Sequence, residues 1–170
     1  MRRIYSIALI VYMACMFGWS YGAEGLAGFY KTHVGSDGRQ AIVEFFYKDG
    51  KYYAYGFANV DGSPPKKDSN NKNPALRDRY DRGTIFVYGL EGEGEKYGGG
   101  KVYDFHNGEI YYAKVRLNGD TLTLHGSVDK SGMIGVDKVW TRLSNEEVRP
   151  YLHLKPSMQD VLKTLEDWQQ

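Results

Sequence analysis

Short segments in which polar and apolar residues alternate run through most of the sequence, and turn dipeptides separate them. Alternation with a period of two is typical of strands with one buried and one exposed face. Three turn pairs lie between such segments, Asp49-Gly50, Asn107-Gly108 and Asn118-Gly119. In a two-residue hairpin both turn positions take a positive φ, which glycine, asparagine and aspartate tolerate best. The sequence therefore predicts an antiparallel meander.

About eight strands are predicted along the chain. The turn pairs join neighbouring strands, and alternation alone places the others. The predicted strands are Gly28–Val34, Ala41–Lys48, Lys51–Asn59, Thr84–Leu90, Lys101–Asp104, Glu109–Leu117, Asp120–Ser127 and Val136–Leu143. Eight sequentially adjacent antiparallel strands of this length close most naturally into an up-and-down barrel, whose interior fits side chains or one small ligand. A flat sandwich is the structural alternative.

Residues 1–22 have the layout of a secretory signal peptide. Arg2-Arg3 precede an apolar stretch from Ile4 to Phe17, and Ser20 and Gly22 are the small residues before a cleavage point. The apolar run is shorter than the roughly 20 residues that cross a bilayer as a helix. We therefore expect cleavage after Gly22 and a mature barrel domain over residues 23–170. This domain would be exported to the periplasm or secreted, with no transmembrane segment.

Composition excludes several classes of function. The only cysteine, Cys15, lies in the leader, so the mature chain has neither disulfides nor thiol catalysis nor a zinc–thiolate site. The whole chain carries 22 Lys and Arg against 21 Asp and Glu. A balance this close to neutral argues against a nucleic-acid binder that works through a bulk positive field.

Two further segments are distinctive. Residues from about 157 to 168 begin with a capping-box-like Ser157-Met158-Gln159-Asp160 and carry apolar residues at helical spacing, which predicts an amphipathic helix packed on the barrel wall. Asp61–Gly83, the long connection, is polar, and its Asn73-Pro74 pair is typical of the start of a short helical turn. Loops this long are usually functional or disordered. We expect either a lid that presents cationic groups at the barrel mouth or a solvated loop without a role.

Short motifs resemble those of lipocalins. Gly28-Phe29-Tyr30 is similar to their Gly-x-Trp opening, with Tyr in place of Trp, and Trp140-Thr141-Arg142 is similar to their closing arginine strand. The order of the motifs resembles, more specifically, a family of small secreted bacterial proteins of unknown function. The motifs are Asp49-Gly50-Lys51 with Tyr55-Gly56, Asn73-Pro74-x-Leu76-Arg77-x-Arg79, Gly98-Gly99-Gly100, Asp104-x-x-Asn107-Gly108 with Tyr111, and Trp140-x-Arg142.

The resemblance covers roughly Gly28 to Leu143 and implies a lipocalin-like, calycin-type barrel in the cell envelope or outside the cell. It also implies that Tyr30, Trp140 and Arg142 are structural. In such a barrel the arginine crosses the face of the aromatic ring at the closed end, a cation–π contact. The resemblance brings no established activity or substrate with it.

Aromatic residues at alternate strand positions are the candidate ligand-binding residues. Tyr53 and Tyr55 share one face of their strand. Phe45 and Tyr47 share a face of the strand before, and Glu44 lies on the opposite face, so we expect the aromatic faces to point inward. A buried tyrosine hydroxyl needs a partner, so the interior holds a ligand or water unless the rings fill it. The candidate ligand-binding set is Phe45, Tyr47, Tyr53, Tyr55, Tyr88, Tyr103, Tyr111 and Arg82.

Catalytic, metal and cofactor motifs are weak. His33, His106, His125 and His153 lack metal-ligand spacing. The glycines of residues 92–101 match neither the dinucleotide fingerprint nor a phosphate-binding loop. We therefore expect no metal, no cofactor and no catalytic residue.

The sequence favours an exported barrel that binds a small hydrophobic or amphipathic ligand in an aromatic-lined cavity. Two alternatives stay open: an enzyme on the same scaffold that acts on a small envelope metabolite, and a filled barrel whose outer surface binds a protein partner. An outer-membrane barrel is disfavoured because membrane strands need about 9–11 residues and most of the predicted strands are shorter.

Overall fold

Eight antiparallel strands form a closed barrel in sequential order. The structure, a computed structural model, describes residues 25–168, so the predicted leader lies outside the described residues. The strands are β1 (Gly28–Lys31), β2 (Ala41–Lys48), β3 (Lys51–Asn59), β4 (Ile85–Glu93), β5 (Lys96–Asp104), β6 (Glu109–Asn118), β7 (Thr121–Ser127) and β8 (Gly135–Leu143). Because β1 pairs with both β2 and β8, the sheet closes on itself. The predicted barrel is confirmed, and the sandwich alternative is wrong.

All three hairpin turns lie where the sequence predicts them, but only the Asp49-Gly50 turn has the predicted two-residue geometry. Asp49 and Gly50 both have positive φ, 50° and 82°, as a two-residue hairpin requires. At the other two turns the glycine alone has a positive φ, 71° at Gly108 and 57° at Gly119. The Gly108 amide instead donates to the Asp104 carbonyl at 2.8 Å and closes a longer turn.

The β4–β5 pair is longer than predicted, since β4 runs to Glu93 and β5 begins at Lys96. Gly92 makes this possible because a Cβ at that position would lie 2.2 Å from the Lys96 carbonyl oxygen. Residues 91–93 and 96–100, which lie outside the predicted strands, are therefore part of the sheet.

Two short helices follow the barrel, α1 (Asn145–Val148) and α2 (Met158–Lys163). Each continues as a 3-10 helix, over Arg149–Leu154 and Thr164–Trp168. The Ser157 hydroxyl accepts from the Asp160 amide at 3.2 Å, which confirms the predicted cap of α2. Among residues 25–168, no helix combines the length and apolar character that crossing a bilayer requires.

Apolar side chains form two clusters, one on each side of the barrel wall. The inner cluster fills the closed end of the barrel and includes Tyr30, Phe45, Tyr97, Leu122 and Trp140. The outer cluster lies between β2–β4 and the C-terminal helices, and it includes Tyr53, Tyr55, Phe57, Ile85, Val148 and Val161, with Tyr88 and Met158 at its edge. The C-terminal segment therefore buries the outer face of the strands that it covers.

The inward orientation expected of Tyr53, Tyr55 and Tyr88 is wrong, because all three belong to the outer cluster. Tyr55 lies directly opposite Glu44, whereas Phe45 lies opposite Ala54. Cross-strand partners share a face of the sheet. The aromatic faces of β2 and β3 therefore lie on opposite sides of the wall.

Candidate functional site

The end of the barrel opposite the Asp49-Gly50 turn contains an open cavity of about 1050 Å³, the mouth cavity. Its walls come mainly from the segment between β1 and β2 (within residues 32–41), the end of β3 (56–59), the long connection (within 65–70, and 81–82), the end of β5 (102–106), and the β7–β8 hairpin (126, 128 and 134–138). Small-molecule sites occupy roughly 300–1,000 Å³, so this cavity is large enough for a drug-sized molecule.

Aromatic rings form one side of the mouth cavity, which we name the lower wall. Phe86 lies between Trp140 and Phe105, with ring centroids 6.1 Å and 6.3 Å away. Tyr103 meets Phe105 edge to face at 5.0 Å, and Tyr111 lines the same space. Such rings offer a large apolar area with well-defined geometry.

Charged side chains line the upper part of the cavity. Arg39 and Lys66 both donate to the Asp37 carboxylate, and these bonds, the one from Arg39 first, hold the pKa of Asp37 well below its usual range. Burial raises the pKa of Asp81, although hydrogen bonds from the Lys66 and Arg82 amides, and then the charges of Arg39 and Arg82, oppose that effect. Within residues 25–168, the Arg82 guanidinium has no carboxylate at ion-pair distance. Its donors are therefore available to a polar group in the cavity.

The long connection is fixed to the barrel and forms one wall of the cavity. Asp68 is fully buried and accepts from the Tyr103 hydroxyl at 2.7 Å, from Asn71 at 2.7 Å and from the Arg79 guanidinium at 2.9 Å. Burial, and then the bond to Asp68, raise the pKa of Tyr103 above its usual range. The alternative prediction of a solvated loop is thus wrong for this part of the connection.

The connection also contacts the β5–β6 turn. The Asn70 amide donates to the His106 carbonyl at 2.8 Å. Gly108 is buried beneath it, and a Cβ there would lie 2.0 Å from the Asn70 carbonyl oxygen. Only glycine permits this close approach.

The predicted helical turn of the connection is present at Pro74–Leu76, where the Asn73 side chain accepts from the Ala75 amide.

Two buried side-chain nitrogens have no hydrogen-bond partner among the described residues. They are Trp140 Nε1 and His33 Nδ1, and both residues line the mouth cavity. Burial, and then the nearby Lys138, lower the pKa of His33, while Asp104 opposes them. Because the ordinary pKa of histidine is about 6.5, this imidazole is mainly neutral at pH 7.

The structure separates the candidate ligand-binding residues into three groups. Tyr103, Tyr111 and Arg82 line the mouth cavity. Phe45 lies in the inner cluster against Trp140, and Tyr47 is 60% exposed near the Asp49-Gly50 turn. Tyr53, Tyr55 and Tyr88 lie in the outer cluster, outside the cavity. Ligand contact by the first group stays a prediction.

Sequence reasoning missed several residues of the cavity wall. The predicted ligand-binding set lacks Phe86 and Phe105, and the predicted role of Trp140 is purely structural, although all three residues line the cavity. Phe86 occupies the position two before Tyr88 on β4, but bulges shift the β3–β4 register between them. A strict alternation therefore could not assign the faces of this strand.

The residues of the lipocalin-like motifs make the contacts that the resemblance implies. The Arg142 guanidinium lies 4.8 Å from the centre of the Tyr30 ring and donates to the Ala27 carbonyl at 2.9 Å. Burial raises the pKa of Tyr30, whose hydroxyl donates to the Leu26 carbonyl. Gly28 is needed because a Cβ there would lie 2.7 Å from Arg142 Nη1. These residues close the end of the barrel opposite the mouth.

Comparison with known proteins agrees with this architecture. Residues 28–142 match the family described as "Uncharacterized protein conserved in bacteria (DUF2147)". The solved structure of protein HP1028 from the human pathogen Helicobacter pylori, described as belonging to the lipocalin family, is 44% identical in sequence with a TM-score of 0.76. The match covers 82% of this chain and 97% of HP1028. A search of curated proteins gives no match.

Proposed function

The chain belongs to the bacterial DUF2147 family, and from this premise we propose that it binds a small, partly hydrophobic ligand in the mouth cavity. The observation that carries the proposal is an open cavity of about 1050 Å³ whose lower wall is aromatic. The likeness to a lipocalin-family structure supports it, since an eight-stranded barrel of this kind has room for one small ligand.

The aromatic wall supplies the apolar part of the binding energy. Phe86, Phe105 and Tyr111 are only partly buried although they face the interior of the barrel. Burial of apolar surface contributes about 25 cal/mol per Å². A ligand that covers these rings removes their apolar surface, and its own, from water.

The polar upper wall favours an amphipathic ligand. The Arg82 guanidinium lines the cavity without an ion-pair partner among the described residues. A guanidinium offers several donors in a planar arrangement that fits carboxylate and other oxygen-rich groups. Arg82 therefore binds the polar end of a ligand whose apolar end rests on the aromatic wall.

Export is part of the proposal. The basic Arg2-Arg3 start, the apolar stretch and the small residues before position 23 support a cleaved leader. A binding protein in the periplasm or outside the cell meets ligands that have not entered the cytoplasm.

A titration with the uncharged fluorescent probe N-phenyl-1-naphthylamine tests the binding site. We expect Phe86→Ala to weaken probe binding about tenfold, because the ring that contacts the probe is removed. Tyr47→Ala is the control, since Tyr47 is an exposed aromatic residue near the opposite end of the barrel. Circular dichroism checks that both variants fold. Equal affinities for the folded wild type and Phe86→Ala, or no binding to the wild type, would contradict the proposal.

A further inference from the structure

The unpartnered Trp140 indole N–H points to the chemistry of the ligand. Trp140 is only 3% exposed, and its Nε1 atom is one of two buried side-chain nitrogens without a partner in residues 25–168. Burying a donor without an acceptor destabilises a protein, and native structures contain few such groups. Both unpartnered atoms belong to residues that line the mouth cavity.

Other indole and phenol donors that are buried or partly buried within residues 25–168 do have acceptors. Trp168 Nε1, on the outer side of the wall, donates to the Ile85 carbonyl at 3.0 Å. The buried hydroxyls of Tyr30, Tyr97 and Tyr103 donate to Leu26, Gly94 and Asp68. The exception at Trp140 is therefore local to the cavity and is not a general property of the fold.

The immediate surroundings of Trp140 supply no acceptor. Its ring packs between Phe45 and Phe86, each with a centroid 6.1 Å away, and its cross-strand neighbour on β7 is Leu122. A bound water needs two to four polar partners, roughly, to be held in a protein interior. Hydrocarbon side chains do not provide them, so a molecule that fills the cavity is the better source of an acceptor.

We propose that the ligand carries an acceptor oxygen, as a carbonyl or carboxylate, in the part that reaches the aromatic wall, and that Trp140 Nε1 donates to it. This inference rests on the proposed function and names the chemical class of the ligand: an oxygen-bearing apolar molecule rather than a plain hydrocarbon.

His33 provides a second polar group in the cavity lining, nearer the opening. Its Nδ1 is the second unpartnered nitrogen, and the charged groups that act on the imidazole are Lys138 and Asp104. A neutral imidazole has one donor and one acceptor nitrogen, so it bonds a hydroxyl or carbonyl of the ligand without requiring a charge. The ligand thus has a second polar group nearer the mouth.

Two naphthalene probes that differ only at one oxygen test the inference. Prodan, 6-propionyl-2-dimethylaminonaphthalene, has a carbonyl acceptor, and its 6-propyl analogue has none. We expect the wild type to bind Prodan about tenfold more tightly than the analogue. Trp140→Phe keeps an aromatic ring but removes the N–H, so it should bind both probes equally. Prodan bound to this variant should also emit at a shorter wavelength, because its carbonyl has lost a donor.

Trp168→Phe is the matched control, since it makes the same substitution outside the cavity, and it should keep the tenfold preference. If Trp140→Phe still prefers Prodan to the propyl analogue, or if the wild type has no such preference, the inference is overturned. Binding of both probes to the wild type would still support the cavity as a binding site. Failure of both probes to bind the wild type overturns the proposed function itself.

A second measurement tests the inference even if Trp140→Phe does not fold. In a ¹H–¹⁵N spectrum of Trp168→Phe, the indole N–H resonance of Trp140 should move downfield when Prodan binds and much less when the propyl analogue binds. Equal shifts with the two probes would contradict the inferred hydrogen bond.

Discussion

The two sides of the barrel wall carry similar aromatic residues but differ in what those residues leave unsatisfied. In the outer cluster, the Tyr55 hydroxyl donates to Glu44, Lys155 pairs with Glu44 at 2.8 Å, and Tyr88 stacks on Trp168 at 5.0 Å. In the mouth cavity, by contrast, Trp140 has no partner for its N–H. Aromatic content alone therefore does not locate a binding site. Uncovered rings and an unpartnered donor are what support the proposed site at the mouth cavity.

The difference arises from what covers each side. The chain itself covers the outer cluster, because Val148 and Val161 of the C-terminal helices are buried against β2–β4. The long connection, held by Asp68 and Asn70, forms one wall of the mouth cavity, which stays open. The chain thus covers the outer cluster, whereas it leaves the mouth cavity open.

The largest expected effect comes from Tyr55→Ala in the outer cluster. Tyr55 is fully buried, and truncating a large buried aromatic residue costs about 3–5 kcal/mol. We expect urea denaturation to show a loss of this size in the free energy of unfolding. The affinity of the folded variant for N-phenyl-1-naphthylamine should not change. Weaker binding at unchanged stability would reverse the roles that we assign to the two sides.

Gly108→Ala should have the next largest effect, because it forces a Cβ against the Asn70 carbonyl. We expect a loss of about 3 kcal/mol in the free energy of unfolding, as backbone clash and a positive φ act together. Gly119→Ala is the matched control. Gly119 also has a positive φ, 57°, but nothing lies within 4 Å of its Cβ position, so only the conformational cost of about 1 kcal/mol remains. Equal losses in the two variants would show that the connection is not held at this point.

The smallest effect concerns His33 and the pH dependence of stability. Since its pKa is lowered in the folded state, the unfolded chain binds more protons at mildly acidic pH. The stability due to neutral His33 is therefore present above pH 6.5 or so and is lost as the pH falls through the folded-state pKa. We expect a small decline in the melting temperature from pH 7 to pH 5, and a smaller decline in His33→Gln. Identical pH profiles would show that partial burial at the cavity does not lower the pKa of His33.

Much of the fold can be predicted from the sequence, and so can the side of the barrel wall on which some aromatic residues lie. The two-residue turn at Asp49-Gly50 pairs Lys48 with Lys51, and counting outward from it pairs Glu44 with Tyr55. A tyrosine opposite a glutamate indicates the outer face. Alternation within a single strand does not distinguish its two faces, whereas the register that the turn imposes places Tyr55 on the face of Glu44.

The remaining features of the site depend on contacts between distant residues. Tyr103 and Asp68 lie 35 positions apart, and no local pattern predicts their hydrogen bond. The bulges between β3 and β4 change the alternation near Tyr88. The path of the long connection, which forms one wall of the mouth cavity, is also not determined by propensities or periodicity.

Native mass spectrometry of the wild-type protein, purified gently from its own host and measured again after denaturation, tests the central claim most directly. We predict an additional mass of a small organic molecule that contains oxygen and is released on unfolding. The Tyr55 side of the wall needs no such occupant, whereas the cavity beside Trp140 does. A protein mass without any addition, together with failure of the naphthalene probes to bind, would contradict the account and indicate a barrel that acts only as a scaffold.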